Sequence, residues 1–414
     1  MKFYFPDSQD MISPTYDFMH DEYSAYRVRQ RDDKYAHEVL SPLPYDGLLV
    51  SKAIVDGTAS GGAGKYSGPQ RERLYRLGVR DFFRLPDAID TLGDCGAFTY
   101  INDPLPPYTV DEVLDFYERC GFDAGVSVDH IVFGYDDGAT EETVDPAWAR
   151  RRQVSLQYAN DFLRACTRRS TRVEPVGAAQ GWSPASYADS VRQLSKMGYQ
   201  QIALGGMVPL KTHDILACLR EIASVEHGAR LHLLGVTRVK DMTEFASLGV
   251  TSFDSTSPFR QAFMDDHDNY HTLTAGTYVA IRVPQVDANP ALKRRILGGQ
   301  VPQRDAVEAE RQCLRLLRSY EVGGTAMDDV LSALDRYERV LGVAKSYVAD
   351  YARTLTDRPW ATCACSLCSE HGIEIAIFRG TERNKRRGFH NLAVFAERVH
   401  QLGLVKTNSR GNRG

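Results

Sequence analysis

Hydrophobic and polar positions change their rhythm along the chain. Residues 1–45 are rich in Tyr, Asp and Pro, show no clear period, and read as an ordered N-terminal arm. From about residue 46, short β-rich runs alternate with longer amphipathic ones. The short runs are 46–51, 79–85, 96–101, 122–128, 172–179, 199–204, 230–236 and 249–253. Helix-like stretches at 109–120, 146–168, 183–197, 210–226 and 238–248 separate most of them. Thr109, Ser183 (ahead of Pro184) and Thr237 stand where helix caps belong. Eight strands alternating with helices predict a parallel sheet, either doubly wound or a (β/α)8 barrel, and the count of eight favours the barrel.

The alternation stops after about residue 264. Residues 265–300 read as loop with a basic knot at Lys293, Arg294 and Arg295. Two long amphipathic helices are predicted at 303–320 and 326–354. A Cys cluster follows at 363–368, then a basic loop over 379–388 and a last helix from about 390. The layout is an arm (1–45), a barrel (46–264), an inserted subdomain (265–389), a last barrel helix (390–403) and a flexible basic tail (404–414).

Composition narrows the function classes. The 414 residues carry 50 Lys and Arg against 54 Asp and Glu, a net charge of −4, which excludes a uniformly basic nucleic-acid coat but leaves room for a local basic face. No uncharged apolar run approaches the roughly 18 residues of a membrane span, and the N-terminus lacks the apolar core of a signal peptide. These points predict a cytoplasmic chain with no membrane partner, whose eight Cys stay reduced.

In a barrel, chemistry sits at the C-terminal ends of the strands. Those ends offer Asp94, Asp129, Gln180, Gly181, Gly205, Gly206, Gly235 and Asp254. Carboxylates, an amide and backbone-exposing glycines suit acid/base and nucleophilic chemistry on a heterocycle. No Walker A loop or strand-GxGxxG-helix is present, which argues against nucleotide hydrolysis and nicotinamide chemistry. Each residue also has a plain structural reading. Asp254 before Ser-Thr-Ser-Pro fits a helix cap, Asp94 a turn, Asp129 an ion pair with one of the many Arg, and Gly205-Gly206 a tight turn.

The Cys cluster is the sharper signal. Cys363, Cys365 and Cys368 form C-x-C-x2-C, and 21 residues separate Cys368 from His390. Three thiolates and one imidazole satisfy a closed tetrahedral zinc site, structural rather than catalytic. His371 competes for the fourth place. His390 is preferred because it opens the last helix and would tie the insertion to the barrel.

Together these residues resemble the tRNA-guanine transglycosylase superfamily over about 46–264 and 360–400. DCGAF at Asp94 is similar to the family's D-S-G-G-F-Q. Gln180-Gly181 matches its Q-G, Gly205-Gly206-Met207 its G-G-L, and Leu234-Gly235-Val236 its M-G-V. Asp254 with Pro258 and Arg260 matches F-D-x-x-x-P-x-R, and Cys363, Cys365, Cys368, His390, Asn391 and Leu392 match C-x-C-x2-C…H-N-L. The resemblance implies a (β/α)8 TIM barrel with a helical and zinc-binding subdomain inserted before the last barrel helix.

Departures from the pattern are Thr99 in place of Gln, GGMVPLK in place of G-G-L-A-V-G-E, and a shortened segment after Arg260. They resemble the DNA-guanine transglycosylase branch, in which a 7-deazaguanine is placed in DNA as part of a modification system. The resemblance implies Asp94 as general acid/base, Asp254 as nucleophile, and Asp129, Gln180, Gly181, Gly205, Gly206, Met207 and Gly235 around the base. The exchanged bases would be guanine and 7-cyano-7-deazaguanine (preQ0). It makes Arg260, Lys293, Arg294, Arg295, Arg383, Lys385, Arg386 and Arg387 candidates for holding DNA phosphates, and a partner ATPase a candidate for opening the duplex. The alternatives are the same chemistry on tRNA and a non-catalytic zinc-containing subunit that binds nucleic acid.

Overall fold

The computed structural model of the chain describes residues 1–7, 9–58, 64–274 and 276–403. The basic tail expected at 404–414 lies outside them. Eight parallel strands close a barrel: β1 Lys2–Pro6, β2 Gly47–Ser51, β3 Asp90–Asp94, β4 Ala124–Val126, β5 Glu174–Ala179, β6 Gln201–Leu204, β7 Arg230–Leu233 and β8 Val250–Asp254. Closure rests on β1, which sets Tyr4 opposite Gly47 of β2 and Phe3 opposite Phe253 of β8. Tyr4, Leu49, Leu92, Val126, Val176, Ala178 and Ala203 supply one apolar layer from the first six strands. Inward and outward positions alternate along each strand, so each of these strands lends the layer one or two residues. The expected (β/α)8 barrel is therefore the fold of the chain.

Two of the eight strands lie elsewhere than the pattern predicts. Residues 79–83 end the helix Gly68–Phe83, and their buried positions, Val79, Phe82 and Phe83, follow a helical spacing. Ala97–Tyr100 is a turn of 3-10 helix. The strands in their place are β1, hidden within the supposed arm, and β3, whose sequence DTLGD carries one large apolar residue. Both are short, and β3 lacks the β-branched run that marks a buried strand.

Caps account for several helix starts. The Thr109 hydroxyl accepts from Glu112 N at the head of Val110–Cys120, and Ser183 accepts from Ser186 N at the head of Pro184–Met197. Thr237 does not cap. A short 3-10 turn, Val239–Asp241, precedes the helix Met242–Ser247, and the Thr237 hydroxyl lies 3.2 Å from that of Ser255.

The chain divides into two compact units. One contains residues 1–8 and 45–256 and resumes at Val399, and the other gathers residues 9–44 and 257–398. Most of the supposed arm thus belongs with the insertion. In this second unit the helix Gln303–Glu321 stands as expected, whereas 326–354 forms two helices, Met327–Leu341 and Val348–Asp357, broken after the left-handed Gly342. Residues 265–300 are not all loop: Tyr270–His271 pairs with Thr277–Tyr278, and Pro290–Leu297 is helical behind an Asn289 cap. No helix among the described residues is long and apolar enough to cross a membrane.

Candidate active site and metal site

All the strand-end residues singled out from the sequence lie in the barrel unit, at one end of the sheet. Asp94 ends β3 and Asp254 ends β8, while Asp129, Gln180, Gly205, Gly206, Met207 and Gly235 lie one to three residues beyond β4, β5, β6 and β7. Parallel strands carry their C-terminal ends on one rim, so register alone gathers these groups.

Asp94 accepts a hydrogen bond from the Ser51 hydroxyl at 2.8 Å across the β2–β3 pair. Burial raises its carboxyl above the ordinary range; the Ser51 hydroxyl and the Gly96 amide oppose the rise, and the charge of Asp254 adds to it. A carboxyl that holds its proton more tightly than usual is suited to giving that proton to a leaving group.

Asp129 is buried and clamped from two sides. The Gln180 amide donates to Oδ2 at 2.6 Å, and the Cys95 thiol donates to Oδ1 at 3.2 Å. Tyr100 ties the cluster together by donating to Cys95 Sγ at 2.9 Å and to the Asp129 carbonyl at 3.1 Å. Burial, and then the charge of Asp94, pushes the Asp129 carboxyl from 3.8 up to about 7. The same Gln180 amide accepts from Val132 N at 3.2 Å, which fixes its orientation. Gly205 lies against the Gln180 amide, where a Cβ would overlap Nε2, and its carbonyl accepts from Tyr187 at 2.8 Å. Gly206 sits at φ +75 beneath the Val132 carbonyl, a conformation and a clearance that require glycine. Met207 is buried beside them.

Asp254 does not serve as the helix cap its neighbours suggested. Its Oδ1 accepts from Gly235 N at 3.0 Å and from His232 Nε2 at 3.1 Å. Sequence reasoning missed Ser51, Cys95, Tyr100 and His232. Cys95 was signalled by its place next to Asp94, and His232 by being a lone imidazole in an apolar strand.

The second unit holds the metal-ligand group. The donor atoms of Cys363, Cys365, Cys368 and His390 all lie within 4.8 Å of one another. His390 Nδ1 is 3.5 Å from the sulfurs of Cys363 and Cys365 and 3.3 Å from that of Cys368. A tetrahedral ion with metal–sulfur bonds of about 2.3 Å and metal–nitrogen bonds of about 2.0 Å needs S···N edges of about 3.5 Å, so these four residues could hold a metal. His390 Nε2 donates to the His271 carbonyl at 2.8 Å, which leaves the lone pair on Nδ1, the nitrogen that faces the sulfurs, available to a metal. Tyr270 stacks on the imidazole at 4.3 Å between centroids. His371, the competing fourth ligand, accepts from Arg386 instead.

The basic candidates divide sharply. All but the first residue of the supposed basic loop 379–388 is part of the helix Gly380–Gln401. Arg383, Arg386 and Arg387 are each 1% exposed or less. Arg383 pairs with Glu374 at 2.6 Å and with Asp21, and Arg386 pairs with Glu382 at 2.5 Å and donates to the Ser13 carbonyl. Arg387 donates to the carbonyls of Ala262, Ile375 and Ile377. Guanidinium groups consumed in this way cannot reach a phosphate, and Lys385 is paired with Asp10 at 3.5 Å. Arg295 donates to the carbonyls of Arg339 and Val340 at the end of Met327–Leu341. Arg260, Lys293 and Arg294 remain exposed.

Comparison with known proteins decides the family. A DNA-guanine transglycosylase of Salmonella montevideo is 48% identical over 416 residues, which cover 99% of each chain. The chain belongs to the guanine transglycosylases. A tRNA-guanine(15) transglycosylase of Pyrobaculum aerophilum is 29% identical over 176 residues, 40% of this chain and 33% of that one. No family model matches. This transglycosylase is thus an enzyme of glycosyl transfer, specifically a pentosyltransferase.

Proposed function

We propose that this transglycosylase acts on DNA and exchanges guanine for 7-cyano-7-deazaguanine (preQ0) through a covalent link to Asp254. The observation that carries the reading is the rim itself: two carboxyls, Asp94 and Asp254, close enough for the charge of one to act on the other, beside the Asp129–Gln180 pair. In the first step an Asp254 oxygen bonds to C1′ of the target deoxyguanosine and the C1′–N9 bond breaks. Asp94 gives its proton to the departing guanine. In the second step Asp94 takes the N9 proton of the incoming base, N9 bonds to C1′, and the ester to Asp254 breaks. Two inversions retain the anomeric configuration. Asp129 and Gln180 read the N–H edge of the purine, Gly181 and Gly235 shape the pocket walls, and the Gly205-Gly206-Met207 backbone faces its carbonyl side. The target nucleotide must leave the helical stack to reach the rim.

DNA is favoured over tRNA because the relative that aligns along the whole chain is named for DNA, whereas the Pyrobaculum aerophilum relative named for tRNA aligns over less than half. DNA as substrate goes with a cytoplasmic location. Exposed Arg260, Lys293 and Arg294 are the remaining phosphate-binding candidates. The metal held by Cys363, Cys365, Cys368 and His390 is proposed to be zinc, and it cross-links the second unit without taking part in the reaction.

The test is release of labelled guanine. Purified protein is incubated with preQ0 and plasmid DNA or tRNA carrying radiolabelled guanine. Release from DNA alone, lost in Asp254→Ala, is expected. Release from tRNA alone overturns the DNA assignment. Release from DNA only after a modification-cluster ATPase is added identifies that partner as required.

A further inference from the structure

His232 is a fully buried imidazole in the barrel interior, set edge-on to the Tyr4 ring at 5.7 Å between centroids. An imidazole in such a layer is costly unless both nitrogens are satisfied. Both are: Nδ1 lies 2.8 Å from the Ser252 hydroxyl and Nε2 lies 3.1 Å from Asp254 Oδ1. An ionised carboxylate only accepts, so Nε2 carries the hydrogen. In a neutral ring Nδ1 then accepts from Ser252, which selects the tautomer.

Strand register explains how the three groups meet. Leu231 of β7 pairs with Val250 of β8, but His232 pairs with Ser252, so Thr251 is an extra residue in β8 and is exposed. Such a bulge re-aims side chains. It brings Ser252 opposite His232, and Asp254, two residues on, shares the inward face of Ser252.

We propose that His232 is a positioning residue for Asp254. Its N–H and that of Gly235 both fall on Oδ1, while Oδ2 receives no donor among the described residues. The two bonds fix the carboxylate plane and leave Oδ2 as the oxygen that bonds to C1′ as the C1′–N9 bond breaks. Ser252 acts through His232 by holding the tautomer. The inference rests on the reading of Asp254 as nucleophile.

The experiment compares His232→Phe, His232→Gln, Ser252→Ala and Asp254→Asn in guanine release from labelled plasmid DNA, with kcat and KM separated and the acid-quenched protein–DNA adduct counted. A charge-assisted hydrogen bond removed from the nucleophile predicts a fall in kcat of about 10- to 100-fold in His232→Phe, with KM for DNA and for preQ0 unchanged. His232→Gln, whose amide can donate from the Nε2 position, is expected within a few-fold of wild type. Ser252→Ala is expected to fall between them. Wild-type kcat in a folded His232→Phe, or equal loss in Phe and Gln variants of equal melting temperature, overturns the inference. If the Phe variant does not fold, the Gln and Ser252→Ala pair decides: low kcat in Gln, or wild-type kcat in Ser252→Ala, overturns it. Full turnover by Asp254→Asn, or no adduct in wild type, overturns the parent reading instead.

Discussion

The Gln180 side-chain amide donates to Asp129 Oδ2 at 2.6 Å. With the Cys95 thiol on the other oxygen, this holds a buried carboxyl that burial has pushed up to about 7. Below that pH the protonated group offers a donor where the purine N–H edge needs an acceptor. The KM for preQ0 is therefore expected to rise as pH falls through about 7 and to level off above it.

Folding carries the opposite sign at the same residue. The folded protein holds a proton on Asp129 that the unfolded chain releases near 3.8, so the associated stability is full below 3.8 and is lost as pH rises through about 7. Asp129→Asn is expected to raise the melting temperature at pH 8 while raising the KM for preQ0 at least about tenfold, a trade often met at functional sites. Calorimetry and steady-state exchange at pH 6 and pH 8 check both signs.

Asp94 and Asp254 should fail differently. Asp94→Asn keeps the Ser51 hydrogen bond but cannot deliver a proton, and general-acid loss typically costs about 100- to 10,000-fold. The expected result is slow guanine release with the adduct still detectable. Asp254→Asn should form no adduct. Denaturing gels of labelled DNA separate the two, and an adduct in Asp254→Asn would place the nucleophile elsewhere.

Much of the barrel was legible because parallel strands buried on both faces read as apolar runs. Six of the eight strands overlap such runs. β3 escaped because Gly93 makes room for the Tyr117 ring, so the strand carries little apolar signal of its own. Val79, Phe82 and Phe83 misled because a short apolar run does not disclose its period. That Asp94, Asp129, Gln180 and Asp254 share one rim, and that Cys363, Cys365, Cys368 and His390 come together, was legible through spacing and resemblance. The arginines of 379–387 were not, because charge in a sequence does not say whether a carboxylate such as Asp21 or Glu374, distant in the chain, returns to meet it.

Removing the metal should act on folding. Cys365→Ser, or treatment with a strong chelator, is expected to remove the proposed ion and abolish cooperative melting of the second unit, since a closed thiolate–imidazole site contributes its binding energy to folding. Elemental analysis alongside calorimetry tests this. A chain that loses its ion and melts unchanged would refute the structural role.

The basic residues give a prediction whose two halves must separate. Replacing Lys293 and Arg294 together with Ala removes exposed charge, and the slope of log K against log salt should become shallower by about 0.9 for each phosphate that is no longer neutralised. Arg383→Ala removes one partner each from half-buried Asp21 and buried Glu374, which keep Arg379 and Arg318, so the cost should fall below the about 3–5 kcal/mol typical of a buried charge left without any partner. The expected result is a lower melting temperature with an unchanged salt slope. Fluorescence titration of DNA at several salt concentrations, run with thermal melts, distinguishes them. A salt slope reduced by Arg383→Ala in the folded protein would mean that this guanidinium reaches DNA, against the burial and pairing it has here.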